Sequence, residues 1–443
     1  METRAHGPGA PLSFREPVNK PTNKFDWWLL GICSSRITTY LVFMTYAAAL
    51  SVLQKEWKMS AAAAGSISSG FQFGYAFSLV VFSALADRMG AKRVFLMSNL
   101  LSAAASLVFA GFARGYYSGL VLYTLIGVSL GGTYPPALIM IADRYPSTSR
   151  GKSVGFFIAS TSLSYAFSLG MSGLVLSWGG YRGAFLLTCL GPSVGSILAW
   201  ITLASTPNKV FPRRQEQKFS TEVLRNKKAV LYITGYAFHS WEILGMWAWT
   251  PAFLSACLAV SGSEILKAAA IGAYIVSLFH LMGMTASFSM GTLSDRLGRA
   301  SVILLLCSLS TTCSFVMGWL IGFPIALVVA TGMIYAFSAL GDSPILSAGL
   351  TESVESSYLG AAFALRSFLG FGAGALSALM FGVLLDLVNP TALETGIYGM
   401  WGWSYSALGL GGLGVVWAAY VLRRVSSDRF GLKTNSDGSA IHN

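Results

Sequence analysis

Charge is what this sequence has least of. Only 11% of its 443 residues are Asp, Glu, Lys or Arg, against about 25% in a soluble globular protein. With 54% hydrophobic residues and a mean hydropathy of +0.61, that scarcity excludes an ordinary soluble enzyme and a disordered chain. Cysteine is also sparse. The five (Cys33, Cys189, Cys257, Cys307, Cys313) lie in apolar runs with no CxxC spacing, which excludes a disulfide scaffold and a thiolate metal site. Four histidines, two of them in the tails (His6 and His442), leave little for a catalytic or metal cluster. No HExxH or P-loop pattern occurs, and no GxSxG string has the context of a hydrolase nucleophile, so neither an enzyme nor an ATP-driven pump is expected, and no cofactor or metal is implied. There is no N-x-S/T sequon, as expected for a bacterial membrane protein.

Long apolar runs are abundant. A spanning helix needs about 20 mostly apolar residues. Twelve runs qualify: 26–53, 61–86, 93–113, 116–141, 152–177, 182–205, 228–257, 265–291, 300–320, 323–350, 358–385 and 397–422. The expected fold is an all-α membrane protein of twelve transmembrane helices. Basic residues set its orientation. Twenty-three Lys/Arg fall in the N-terminal tail, alternate loops and C-terminal tail, against five in the remaining loops (Lys55, Lys58, Arg114, Arg182, Lys267). This bias predicts both termini on the cytoplasmic side. The net charge of +12 therefore reads as inner-face loops against an anionic bilayer, with no nucleic-acid partner.

The expected organisation follows from these runs. Residues 1–25, with four prolines and no apolar stretch, read as a disordered cytoplasmic tail. Residues 26–206 form a first six-helix half and 228–424 a second. The basic segment 207–227 links them, and 425–443 is a C-terminal tail. The halves repeat. Leu85-Ala86-Asp87-Arg88-Met89-Gly90 matches Leu293-Ser294-Asp295-Arg296-Leu297-Gly298 at an offset of 208, and Pro136 falls on Pro344 at the same offset. Internal repeats of this kind mark transporters whose halves rock about a central site.

These residues resemble the major facilitator superfamily. Asp-Arg-x-Gly after helices two and eight is similar to its motif A. Gly291 keeps the motif's leading glycine in the second half, and Ser83 replaces it in the first. Gly127 to Pro136, Asp143-Arg144 and Arg150-Gly151 are similar to the superfamily too. The resemblance implies two pseudo-symmetric halves around a cavity lined by helices one, four, seven and ten. It also implies a cytoplasmic gate built from Asp87, Arg88, Gly90, Arg144, Arg150, Gly291, Asp295, Arg296 and Gly298. Asp87 would accept hydrogen bonds there from Arg144 or Arg150.

Ionisable residues at bilayer depth usually face a cavity or a partner. Arg36, His239, Glu242 and His280 lie near mid-depth by a rise of about 1.5 Å per residue. A substrate site is expected from Arg36, Tyr40, Tyr134, His239, Glu242 and Asp342. Glu242, His239 and His280 are candidates for a coupled proton. Ion pairs Arg36–Glu242 and Arg366–Asp342 are the structural alternative.

Family patterns narrow the transport mode. Tyr123 stands where proton-coupled members often carry arginine. Helix five lacks the Gly-Pro pair of drug antiporters, and the sugar-porter signature after helix six is missing. The expected function is a secondary active transporter of a small organic or inorganic anion, with possible proton symport, working as a monomer in a bacterial inner membrane. The alternatives are an exporter of amphipathic or cationic compounds, and a non-transporting sensor on the same fold.

Overall fold

The computed structural model describes residues 26–210, 223–355 and 358–436. The expected N-terminal tail, the linker residues Arg213, Arg214 and Lys218, and residues 437–443 lie outside the described residues. Among those described, the regular structure is helical and contains no strand. Eleven helices are long and apolar enough to cross a membrane. The longest, Ser149–Leu203, is 55 residues, close to twice the length one crossing needs. It breaks at Gly180, whose φ of 58° and ψ of −168° are non-helical. It therefore holds two spans, which restores twelve.

The spans are α1 (Trp27–Glu56), α2 (Ala61–Met89), α3 (Ala91–Phe112) and α4 (Tyr116–Arg144). Then come α5 (147–179) and α6 (181–203), on either side of Gly180. The second half holds α7 (Lys227–Val260), α8 (Ile265–Leu297), α9 (Arg299–Leu320), α10 (Ile325–Ser353), α11 (Leu359–Val388) and α12 (Gly402–Ser436). Polar caps set several starts. Asp26 accepts from the Leu29 N–H at 3.0 Å, Ser60 from Ala63 and Asn226 from Lys228 and Ala229. Each satisfies a donor that a helix start leaves orphaned.

The repeat is visible in the backbone. Gly90 ends α2 with φ 90°, and Gly298 ends α8 with φ 85°. A side chain would be strained there, so the glycine of each Asp-Arg-x-Gly turn follows from geometry. Both prolines of the repeat, Pro136 and Pro344, lie beside breaks as well. In α4 a 3₁₀ turn at Gly131–Thr133 precedes Pro135 and Pro136. In α10 the helix ends at Gly341 and restarts at Ser343-Pro344. Proline cannot donate the bond that would continue the ladder. A third break, the 3₁₀ turn Tyr40–Val42, interrupts α1.

The halves meet along α2 with α11 and α5 with α8. Ser51 Oγ donates to Ser255 Oγ at 3.1 Å, and Ser277 Oγ to the Ala166 carbonyl at 2.8 Å. Asp386 Oδ1 and Oδ2 accept from the N–H groups of Ala61 and Ala62 at 2.8 and 2.7 Å. Tyr398 adds a bond to the same carboxylate at 3.2 Å; burial and the Asp386 charge push its hydroxyl above the ordinary tyrosine range, so it stays a donor. All of these contacts lie toward the end of the bundle opposite the Asp87 and Asp295 turns.

Candidate functional site

Arg36 lies on α1, one turn before its break. Its side chain is buried. Nε donates to Thr161 Oγ1 of α5 at 2.7 Å. The guanidinium carbon lies 4.2 Å from the Tyr40 ring centre, 4.6 Å from Phe157 and 5.0 Å from Tyr134. Rings at this range favour a cation. The Tyr40 hydroxyl lies 3.0 Å from both Tyr75 Oη and Thr133 Oγ1, so three helices fix its position. Nη1 of Arg36 is buried without a partner.

Aromatic rings continue this surface into the second half. Tyr165 of α5 stacks on Phe43 at 4.5 Å and meets Trp247 edge-on at 5.3 Å. His280 lies 5.5 Å from Tyr165 and 5.1 Å from Trp247. It is buried, and neither ring nitrogen has a partner. Tyr75 meets Phe371 of α11 edge-on at 4.7 Å.

The second half contributes its own charged wall. Arg366 is buried, donates through Nη1 to Ser347 Oγ at 2.6 Å, and lies 3.9 Å from the Tyr236 ring centre and 4.6 Å from Phe363. Tyr236 lies 5.5 Å from the His239 ring. His239 Nδ1 lies 2.8 Å from Asp342 Oδ1, both buried.

The two ion pairs weighed as the structural alternative do not form. Asp342 faces His239, and Arg366 faces Ser347. Register explains this. Asp342 stands eleven residues before Ser353, where α10 ends, and Arg366 seven after Leu359, where α11 begins. At about 1.5 Å per residue they differ in depth by roughly 6 Å. Arg36 and Glu242 also stay apart. Glu242 Oε2 accepts from Ser310 Oγ of α9 at 3.3 Å and lies close to Gly412 of α12. That places Glu242 inside the second half, away from Arg36. The structure thus gathers Arg36, Tyr40 and Tyr134 in one cluster and His239 with Asp342 in another. Among the described residues, neither Arg36 nor Arg366 has a carboxylate within ion-pair distance.

The sequence reading missed Thr161, Tyr75, Tyr165 and Ser347. Each is a polar residue in an apolar run, and only lateral packing between helices brings it to the site.

The residues expected to form the gate lie at and near the Asp-Arg-x-Gly turns. Asp87 and Arg88 lie in the last turn of α2. Arg144 lies over the Trp28 ring at 4.8 Å, and Arg150 Nε donates to the Tyr145 carbonyl at 3.4 Å. In the second half Arg299 Nη2 lies 3.2 Å from Asp295, and its Nε donates to Glu352 at 2.6 Å. Arg296 is exposed, and Gly291 has open space where a Cβ would project.

Two halves, broken helices and a buried polar centre define the architecture. The model of the Major Facilitator Superfamily matches residues 32–378, and the chain belongs to that superfamily. It accordingly has the multi-pass helical fold of that superfamily. Among curated relatives, the phosphoglycerate transporter protein of Salmonella typhimurium is 25% identical over 394 residues, 81% of this chain and 82% of that protein. A protein of Cupriavidus pinatubonensis named "Probable 4-methylmuconolactone transporter" is 24% identical over 270 residues, 56% of this chain. The match spans 59% of that relative's length, and about half of an Arabidopsis thaliana protein named "Probable anion transporter 4, chloroplastic" (50%). Solved structures with the same fold include a nucleoside transporter (TM-score 0.70, 15% identity, 89% of this chain and 99% of that one). A D-xylose-proton symporter has a TM-score of 0.68 at 15% identity, covering 89% and 96%.

Proposed function

We propose that the protein carries a small organic anion across a bacterial inner membrane by alternating access, with Arg36 receiving the anionic group. One observation carries this reading. Arg36 is buried with a free N–H and, among the described residues, no carboxylate beside it. An uncompensated buried charge costs several kcal/mol, and an anionic ligand supplies the missing partner. Guanidinium also suits the carboxylate and phosphate forks better than ammonium does. Relatives named for phosphoglycerate, gentisate and gallate support the same class.

The buried His239–Asp342 pair is the favoured proton-coupling site, because a carboxylate within reach of an imidazole can exchange its proton without leaving a bare charge. Glu242 and His280 remain further candidates. With both termini cytoplasmic, the end closed by Asp386 faces outward and the Asp87 and Asp295 turns face the cytoplasm.

Counterflow into proteoliposomes tests the reading. Vesicles preloaded with a panel of unlabelled carboxylates should accumulate the matching labelled acid through the wild type. Arg36→Ala should not, while eluting as the same monodisperse species. Accumulation by Arg36→Ala at the wild-type rate would overturn the assignment.

A further inference from the structure

We infer that Arg366 is a second anion-binding residue, so that the substrate carries two anionic groups, one held by each half of the molecule. This rests on the anion reading of Arg36 given above. Three features of Arg366 lead here. It is 5% exposed, as Arg36 is. Its Nη1 donates to Ser347, and its Nε is buried without a partner. Its cation rests on the Tyr236 and Phe363 rings, which hold the guanidinium in place without neutralising it. The carboxylate best placed by sequence to neutralise it, Asp342, is turned to His239 instead.

The two arginines address one region. Tyr134 of the first half is partly exposed. Its ring lies 5.0 Å from the Arg36 guanidinium carbon, and its hydroxyl lies in electrostatic range of both Arg36 and Arg366. Tyr236, which carries Arg366, is in range of Tyr134 and Tyr165 as well. Ring contacts also join the two surroundings, since Tyr40 bonds Tyr75, Tyr75 meets Phe371 of α11, and Arg366 of the same helix rests on Tyr236. Two like charges at low dielectric repel. A monoanion compensates one of them. A molecule with anionic groups at both ends compensates both and ties α1 to α11. The class is a short dicarboxylate or a phosphorylated carboxylate. Each group would accept the free N–H of its arginine, in the charge-assisted geometry guanidinium favours.

The test uses the full-length protein in detergent and matched probe pairs: succinate with succinamate, phthalate with benzoate, and 3-phosphoglycerate with glycerate. Affinity is read by thermal shift. In at least one pair the wild type should bind the dianionic member ten-fold or more tightly. Arg366→Gln should reduce that preference to three-fold or less while still binding the monoanion, and Arg366→Lys should fall between. A wild type with no dianion preference in any pair overturns the inference, whether or not the variants fold, and leaves the anion reading standing if monoanion binding depends on Arg36. Absence of any Arg36-dependent anion binding overturns the anion reading itself. An unchanged preference in Arg366→Gln also overturns the inference.

Discussion

The Asp386 carboxylate of the second half lies 2.8 Å from the Ala61 N–H of the first. Ala61 is the first residue of α2 and Ala62 the second, and both bond the same side chain. A negative charge at a helix N-terminus is favoured by the helix dipole and by the unbonded N–H groups there. This contact therefore belongs to the closed arrangement of that end, and it must break if the halves separate there.

Asp386→Asn keeps the size of the side chain and removes the charge. It retains one acceptor oxygen and should weaken the contact by about 1–3 kcal/mol, the range for hydrogen bonds to charged groups. Ser51, whose hydroxyl bonds Ser255 across the same seam, is the reporter. A Ser51→Cys protein should label several-fold faster with a membrane-impermeant maleimide once Asp386→Asn is added. Equal labelling rates would show that the carboxylate does not hold the seam.

The His239–Asp342 pair should be strongly context-dependent. Removing one member of a buried pair leaves an unpaired polar or charged group and costs about 3–5 kcal/mol. His239→Leu alone should lower the unfolding temperature more than His239→Leu with Asp342→Leu. If the pair carries the coupled proton, the double variant should still exchange substrate but lose accumulation driven by a pH gradient. Retained pH-driven accumulation would move coupling to another group.

Two glycines should behave differently. A Cβ on Gly127 would press on the Phe71 backbone carbonyl of α2, while one on Gly291 meets open space. Gly127→Ala should destabilise by about 1–3 kcal/mol, the usual cost of overpacking. Gly291→Ala should leave the unfolding temperature unchanged. If Gly291 is needed when the other end closes, transport by that variant should fall without loss of stability.

The Arg299 bridge to Asp295 and Glu352 is partly exposed. Exposed pairs contribute about 0–1 kcal/mol and are screened by salt. Arg299→Ala should therefore change stability by less than about 1 kcal/mol, and less again at high salt. A larger loss, insensitive to salt, would contradict this account of the bridge.

Much of the fold was legible in the sequence because the bilayer sets strict rules. Apolar runs of spanning length located the helices, and the 208-residue offset predicted matching turns at Gly90 and Gly298. The fifth and sixth spans were separate in the sequence too, as 152–177 and 182–205, although in the structure only the non-helical Gly180 divides them. Within the site, Arg36 was legible as an ionisable residue deep in an apolar run, and Tyr40 lies four residues on along the same helix. Arg366 with Asp342 was misread, because shifts of a few residues at two helix ends displaced their registers by a turn. Glu242 was expected in one site with Arg36, but it packs against Ser310 and Gly412 inside the second half. Depth follows from counting residues, whereas facing depends on which neighbours pack around the helix. Tyr165 and Thr161 carry no signal until α5 is packed against α1.

The central claim is that Arg36 holds an anion. The most direct measurement is ligand-dependent thermal stability of the purified wild type and Arg36→Gln across carboxylates, phosphorylated acids, nucleosides and lipophilic cations. A ligand at 100 times its Kd adds about 2.7 kcal/mol to stability, a shift easily resolved. The account predicts an anion that stabilises the wild type and not the variant. Stabilisation by cations alone, equal in both proteins, would contradict it.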